Sequence, residues 1–158
     1  IMSLKIGDKA PVFTLTSTDK KEVNLEDFKG KNVLILFFPF AFTSTCTKEL
    51  CSVRDEISAY NSVACEVLAL SVDSPYTLAK YKEEQGLNFT LLSDFNKEAS
   101  SAYGSLYEVF GPAKLRGVSK RSAFLVDKDG IIQYAEVLEN AGEIPNLQAV
   151  KERLSKLN

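Results

Sequence analysis

The run Val33-Leu34-Ile35-Leu36-Phe37-Phe38-Pro39-Phe40-Ala41-Phe42-Thr43-Ser44-Thr45-Cys46-Thr47-Lys48-Glu49-Leu50-Cys51 decides how the rest of the chain is read. Val33 to Phe38 is apolar without alternation. Such a run reads as a strand covered on both faces, in the middle of an α/β sheet. Pro39 removes a ladder donor and stops it. Hydroxyl residues follow, and the period then changes. Leu50, Val53, Ile57 and Tyr60 fall at i, i+3, i+7 and i+10, the buried stripe of a helix over 44–60. Cys46 lies four residues before Leu50 and joins that stripe, so its sulfur is expected to face the protein body. It also lies in the first helical turn, where free backbone N–H groups and the positive dipole end favour an anion. Cys51, one position past Leu50, sits about 100° further round.

The surrounding elements follow from the same rules. Glu66 to Val72 is a second buried strand, and with strand 33–38 and helix 44–60 it makes a parallel βαβ unit with a right-handed crossover. Upstream, Val12 to Thr16 alternates and Val23 to Leu25 returns across a polar turn, an N-terminal hairpin. Leu25 to Phe28 forms a helical turn ended by Gly30. Downstream, a helix over 75–84 starts on Pro75 and stops at Gly86. A strand over 89–92 and a short helix over 97–103 come next, and 104–119 reads as irregular because Gly111-Pro112 and Gly117 break it. Ser122 to Val126 and Ile131 to Leu138 form a hairpin around Asp127-Lys128-Asp129-Gly130. After a loop at 140–145, Leu147, Val150, Leu154 and Leu157 mark a terminal helix. The expected fold is α/β: a central mixed sheet flanked by helices, with the loop after strand 33–38 at the sheet's carboxyl edge, where ligands bind in such folds.

Length and composition bound the function. The 158 residues are expected to form one domain, with Ile1 ahead of Met2 set aside as foreign to it. A hydrophobic fraction of 45% and a charged fraction of 25% are those of an ordinary globular protein. A net charge of −2 provides no basic surface for nucleic acid or anionic lipid. No apolar run approaches a membrane span, and no signal peptide opens the chain. A cytoplasmic location is therefore expected, with a removed organellar targeting peptide as the alternative. Three cysteines, an odd number, argue against a secreted disulfide framework. The chain has no histidine, which removes Ser-His-Asp and Cys-His mechanisms and makes a zinc site improbable. No metal and no cofactor is expected. An activated cysteine here has to rely on arginine, hydroxyls and backbone N–H groups.

Pro39-x-x-x-Thr43-x-x-Cys46 resembles the active-site signature of the peroxiredoxins, thiol peroxidases with a thioredoxin-like fold. Arg121, opening Arg-Ser-Ala-Phe-Leu-Val-Asp, resembles the family's arginine just before a core strand. Pro-Phe-Ala-Phe-Thr is most similar to the alkyl hydroperoxide reductase E-like branch. Cys-Thr-Lys-Glu-Leu-Cys is similar to the Q-type, bacterioferritin-comigratory branch, where a resolving cysteine follows five positions on. The chain departs from other branches: it has no Val-Cys-Pro near its end, no Gly-Gly-Leu-Gly, no Tyr-Phe tail and no C-x-x-C.

The resemblance implies a role for each matching residue. Cys46 is the nucleophile that attacks a peroxide, where otherwise it is a small core residue. Thr43 aligns the peroxide, where otherwise it is a helix cap. Pro39 shields the site, or merely ends a strand. Arg121 supplies a fixed positive charge, and Glu49 either orients it or is an exposed helix carboxylate. Attack leaves Cys46 as sulfenic acid. Cys51 is then the candidate resolving thiol, and otherwise a plain helix cysteine. Cys65 reads as core. The implied activity is reduction of hydrogen peroxide and organic hydroperoxides, with thioredoxin, glutaredoxin or a low-molecular-weight thiol as reductant. Two alternatives remain: a one-cysteine peroxidase recycled by an external thiol, and a redox-sensing binding or chaperone protein. A homodimer through Phe40, Phe42 and the 104–112 loop is a further expectation.

Overall fold

The structure is a computed structural model, described here for residues 3–157; Ile1, set aside above, lies outside them. Strand β3 (Asn32–Phe37) is buried along its whole length. It runs parallel to β4 (Cys65–Ser71) on one side and antiparallel to β8 (Ser122–Val126) on the other. Around it a seven-stranded mixed sheet takes the order β2 (Glu22–Asn24), β1 (Thr14–Ser17), β5 (Thr90–Ser93), β4, β3, β8 and β9 (Ile132–Val137). Strands β1 and β2 are the expected N-terminal hairpin, and β5 joins them to the parallel pair. Strand β9 pairs with β8 across the Asp127–Gly130 turn, where the Asp127 carboxylate accepts from the Asp129 and Ile131 amides and Gly130 takes a left-handed φ of 83°.

The alternation of side chains across β3 divides the core. Leu34, Leu36 and Phe38 pack on one face with Cys46, Leu50 and Val53 of α1 (Ser44–Asp55), Leu78 and Tyr81 of α3 (Pro75–Gln85), and Val150 and Leu154 of α5 (Leu147–Ser155). Val33, Ile35 and Phe37 pack on the other with Leu25 of a 3-10 turn (Leu25–Phe28) and Ala99 of α4 (Glu98–Ala102). Both faces being covered is why β3 reads as a continuous apolar run.

Two expectations are corrected. The helix over 44–60 is two pieces, α1 and α2 (Ile57–Asn61), because Glu56 leaves helical geometry at φ −113°, ψ 18° and its amide bonds the Val53 and Arg54 carbonyls. The stretch 104–119 is not wholly irregular. Leu106–Tyr107 (β6) and Val118–Ser119 (β7) form a small antiparallel ribbon. Buried hydroxyl pairs fix it to its surroundings, Ser100 with Ser119 at 2.7 Å and Ser122 with Ser105 at 2.9 Å. No helix of the described residues is long and apolar enough to cross a membrane.

Candidate active site

The site forms where β3 ends. Past Phe37 the chain leaves the sheet, Pro39 is buried, and the loop 39–43 turns into α1. Phe42 adopts a left-handed φ of 65°, a conformation that a bulky residue takes only when its surroundings hold it. Its ring packs on that of Tyr81 at 5.0 Å. The neighbouring strand end supplies a second hold. The Asp73 carboxylate accepts from the Ala41 amide at 2.8 Å and from the Ser71 hydroxyl at 2.7 Å. Burial pushes the Asp73 carboxyl up, and these two hydrogen bonds pull it back.

Cys46 is the third residue of α1 and is 1% exposed. Thr43 is the N-cap, yet its side chain caps nothing; its hydroxyl donates instead to the Phe40 carbonyl at 2.8 Å. That bond uses the hydroxyl proton, and the oxygen keeps lone-pair capacity to accept a further hydrogen bond.

Arg121 comes from the other side, immediately before β8, and only 2% of it is exposed. Its Nη2 donates to the Cys46 sulfur at 3.2 Å and its Nη1 to Glu49 Oε1 at 2.7 Å. Nε and Nη2 both donate to the Ala141 carbonyl, at 3.0 and 2.9 Å. The guanidinium is thus fixed on three sides, and its plane presents one N–H to the sulfur. The backbone before it is also held: the Arg121 amide donates to the Tyr107 hydroxyl at 3.4 Å, which itself donates to the Leu138 carbonyl at 3.0 Å. Asp73, Tyr107 and the Ala141 carbonyl were not among the expected site residues. Their contacts span 32, 14 and 20 positions, and no local pattern marks them.

Glu49 is fully buried and bonded to Arg121, which rules out the exposed helix carboxylate. Its Oε2 has no partner among the described residues. Burial pushes its carboxyl up to about 7, against the pull of the Arg121 charge and hydrogen bond. The unfolded chain releases this proton near 4.5 and the folded chain near 7, so between those values the folded state holds more protons. The stability contributed by this group is therefore complete below about 4.5, declines as pH rises and is lost above about 7. In denaturant unfolding between pH 5 and 8, Glu49→Gln is expected to lose less stability with rising pH than the parent. Equal slopes would show that the carboxyl titrates in its ordinary range.

Cys51 is half-buried on α1, and its thiol donates to Gln85 Oε1 at 3.6 Å. Cys65 is buried, and burial pushes its thiol up to about 12, which suits a core residue and not a nucleophile. No group of His, Cys, Asp and Glu suited to a metal ion occurs among the described residues.

This geometry puts an oriented cation and a helix start on one buried thiol. Comparison with known proteins gives it a family: residues 6–135 match the AhpC/TSA family. The chain belongs to this family. Peroxiredoxin Bcp of Escherichia coli K12 is 39% identical over 131 residues, covering 83% of this chain and 84% of that protein. A putative peroxiredoxin of Mycobacterium tuberculosis is 41% identical over 132 residues, with 82% and 83% covered. Among solved structures, peroxidoxin BcpB of Mycobacterium tuberculosis matches with a TM-score of 0.85 at 25% identity, over 98% of this chain and 99% of that one. A peroxiredoxin-like protein from Aquifex aeolicus matches at 0.89 and 25%, covering all of this chain and 90% of that one. The sheet and its flanking helices are accordingly a thioredoxin-like fold, and this peroxiredoxin is a thiol peroxidase.

Proposed function

We propose that Cys46 is the peroxidatic residue and that Cys51 resolves it. The observation that carries this reading is the 3.2 Å contact between Arg121 Nη2 and the Cys46 sulfur, inside a site where Glu49 and Ala141 leave the guanidinium no other orientation. The Cys46 thiolate attacks one oxygen of ROOH in line with the O–O bond. The S–O bond forms and the O–O bond breaks. RO⁻ leaves and takes a proton, giving ROH and Cys46–SOH. Charge moves from the sulfur toward the leaving oxygen, and Arg121 stabilises it along that path. The Thr43 hydroxyl, its own proton spent on Phe40, accepts from the peroxide O–H and aligns it. Pro39 closes the site from behind, and Glu49 positions Arg121. Hydrogen peroxide and organic hydroperoxides both meet these requirements.

The Cys51 thiol then attacks the sulfenic sulfur, water leaves, and a disulfide joins the two. Five residues along an intact helix separate Cα atoms by about 8–9 Å, beyond the roughly 7 Å a disulfide spans. Cys46 and Cys51 both lie within the continuous helix α1, so its start must unwind first. Ser44, Thr45 and Thr47 are weak helix formers and make that feasible. A thioredoxin-type dithiol returns the enzyme to its reduced form, with glutaredoxin or a small thiol as the other reductants of suitable chemistry. Cys51→Ser is expected to keep the first peroxide turnover, to lose thioredoxin-supported cycling and to accumulate sulfenic or sulfinic Cys46. Cycling at the parent's rate would make this a one-cysteine peroxidase.

The proposed partner surface for a second copy is the aromatic flank of the site. Phe42, Val109 and Leu115 are 50%, 50% and 42% exposed there, beside the rings of Phe40 and Phe110, which meet edge to face at 5.7 Å. Light scattering at tens of micromolar is expected to give twice the chain mass, and a monomer mass would refute the dimer.

A further inference from the structure

Three hydrogen bonds tie α1 to α3: two fall on the part of α1 that has to unwind before Cys51 can reach Cys46, and the third anchors the last turn of α1 beyond it. The Thr47 hydroxyl, one residue past Cys46, shares a hydrogen bond of 2.9 Å with the Tyr81 hydroxyl. The Cys51 thiol donates to the Gln85 side chain at 3.6 Å. Arg54 donates to the main-chain carbonyl of Gln85. That carbonyl belongs to the last turn of α3, where backbone acceptors lack helical partners. Gly86 and Leu87 return their amides to the Glu83 and Lys82 carbonyls, which leaves Gln85 to Arg54.

Tyr81 itself is held rigidly. It is fully buried, with the Phe38 and Phe42 rings at 6.3 and 5.0 Å. When Thr47 departs, the buried Tyr81 hydroxyl loses this partner, which opposes the departure. The start of α1 has little hold of its own. Its N-cap side chain makes no cap bond, and Ser44, Thr45 and Thr47 favour the helix weakly. The lateral contacts from α3 supply what the first turn lacks.

We propose that Tyr81 and Gln85 are positioning residues that latch α1 closed, and that release of this latch sets the rate of the Cys46–Cys51 disulfide step. The proposal rests on the reading of Cys51 as the resolving thiol. Two reactions compete for the same sulfenic acid. In one, Cys46–SOH and Cys51–SH give the disulfide and water. In the other, Cys46–SO⁻ and a second ROOH give the sulfinate and ROH. Only the first needs the helix open, so the latch decides how much peroxide the enzyme tolerates before Cys46 is over-oxidised.

The test is a single-turnover time course with hydrogen peroxide, quenched with a thiol-blocking reagent and read by mass. Tyr81→Phe and Thr47→Val remove the same hydrogen bond. Each is expected to speed the disulfide step roughly two- to ten-fold. The two combined should be no faster than either alone, because they share one interaction. Thr47→Ser keeps the hydroxyl and should behave as the parent. The peroxide step should keep the parent's rate, and the peroxide concentration giving half over-oxidation should rise by the same factor as the disulfide rate. Amide exchange over residues 44–51 of the reduced Cys51→Ser protein reads the latch without any disulfide, and Tyr81→Phe should accelerate it. A disulfide that forms at one rate in all variants, with unchanged exchange, overturns the latch alone. A parent that forms no Cys46–Cys51 disulfide overturns the resolving reading and the latch's role together.

Discussion

The Cys46→Ser protein is expected to fold as the parent does and to consume no peroxide. The exchanged atom sits on the inner face of α1, 1% exposed, and a hydroxyl occupies slightly less space than a thiol. The new oxygen still accepts from Arg121, so the guanidinium keeps its partners and stability should change by about 1 kcal/mol or less. The chemistry does not survive. A thiolate is a soft, polarisable nucleophile, whereas a serine hydroxyl is a hard and weak one and has no histidine to take its proton, since the chain contains none. The other cysteines do not substitute. Cys65 is buried and its thiol is pushed up to about 12, and Cys51 lies away from Arg121 on Gln85. Peroxide consumption is the check; substantial turnover by Cys46→Ser would remove the assignment of the nucleophile.

Arg121→Met is expected to slow the peroxide step by about 2–4 kcal/mol in barrier terms, the size of effect seen when a single preorganised donor is lost from a developing oxyanion. Methionine fills much of the same volume and takes away only the cation and its N–H groups. It also leaves the Glu49 carboxyl buried with neither oxygen paired among the described residues, where Oε2 already lacks a partner. Removing one member of a buried ion pair commonly costs about 3–5 kcal/mol. Here the loss is expected to be smaller, because burial already holds Glu49 at about 7 and the carboxyl stays protonated without its cation. The two effects separate in the double variant. Adding Glu49→Gln to Arg121→Met should recover stability at neutral pH without recovering rate. Single-turnover peroxide kinetics and denaturant unfolding measure the two, and an unchanged peroxide rate in Arg121→Met would refute the role of the guanidinium.

How far such a site can be read before its structure is known depends on the range of each contact. Strand β3 and the Cys46 stripe are legible because burial on both faces and the helical period are local and leave a pattern in consecutive residues. The helix break at Glu56 is not, because the residues on either side carry the same apolar stripe and no glycine or proline interrupts it. Arg121 is legible only through its family resemblance. Residue type and position make it a solvated strand-end arginine, and its burial follows from Glu49, 72 positions away, and the Ala141 carbonyl, 20 positions away. A main-chain carbonyl has no signature in a sequence at all. Asp73 and Tyr107 are ordinary residues until the fold brings them under Ala41 and Arg121. The β6–β7 ribbon was hidden for another reason: two-residue strands carry no period, and hydroxyl pairs rather than apolar alternation hold them.

The most direct measurement is the intact mass of the protein after one equivalent of hydrogen peroxide, taken under denaturing, thiol-blocked conditions with the oxidised peptides mapped. We expect the parent to lose two hydrogens, with the bond between Cys46 and Cys51, and the Cys51→Ser protein to gain one oxygen on Cys46. A parent that gains oxygen and forms no disulfide, or a modification that falls on a cysteine other than Cys46 first, would contradict a mechanism in which Arg121 directs peroxide to Cys46 and Cys51 closes the cycle.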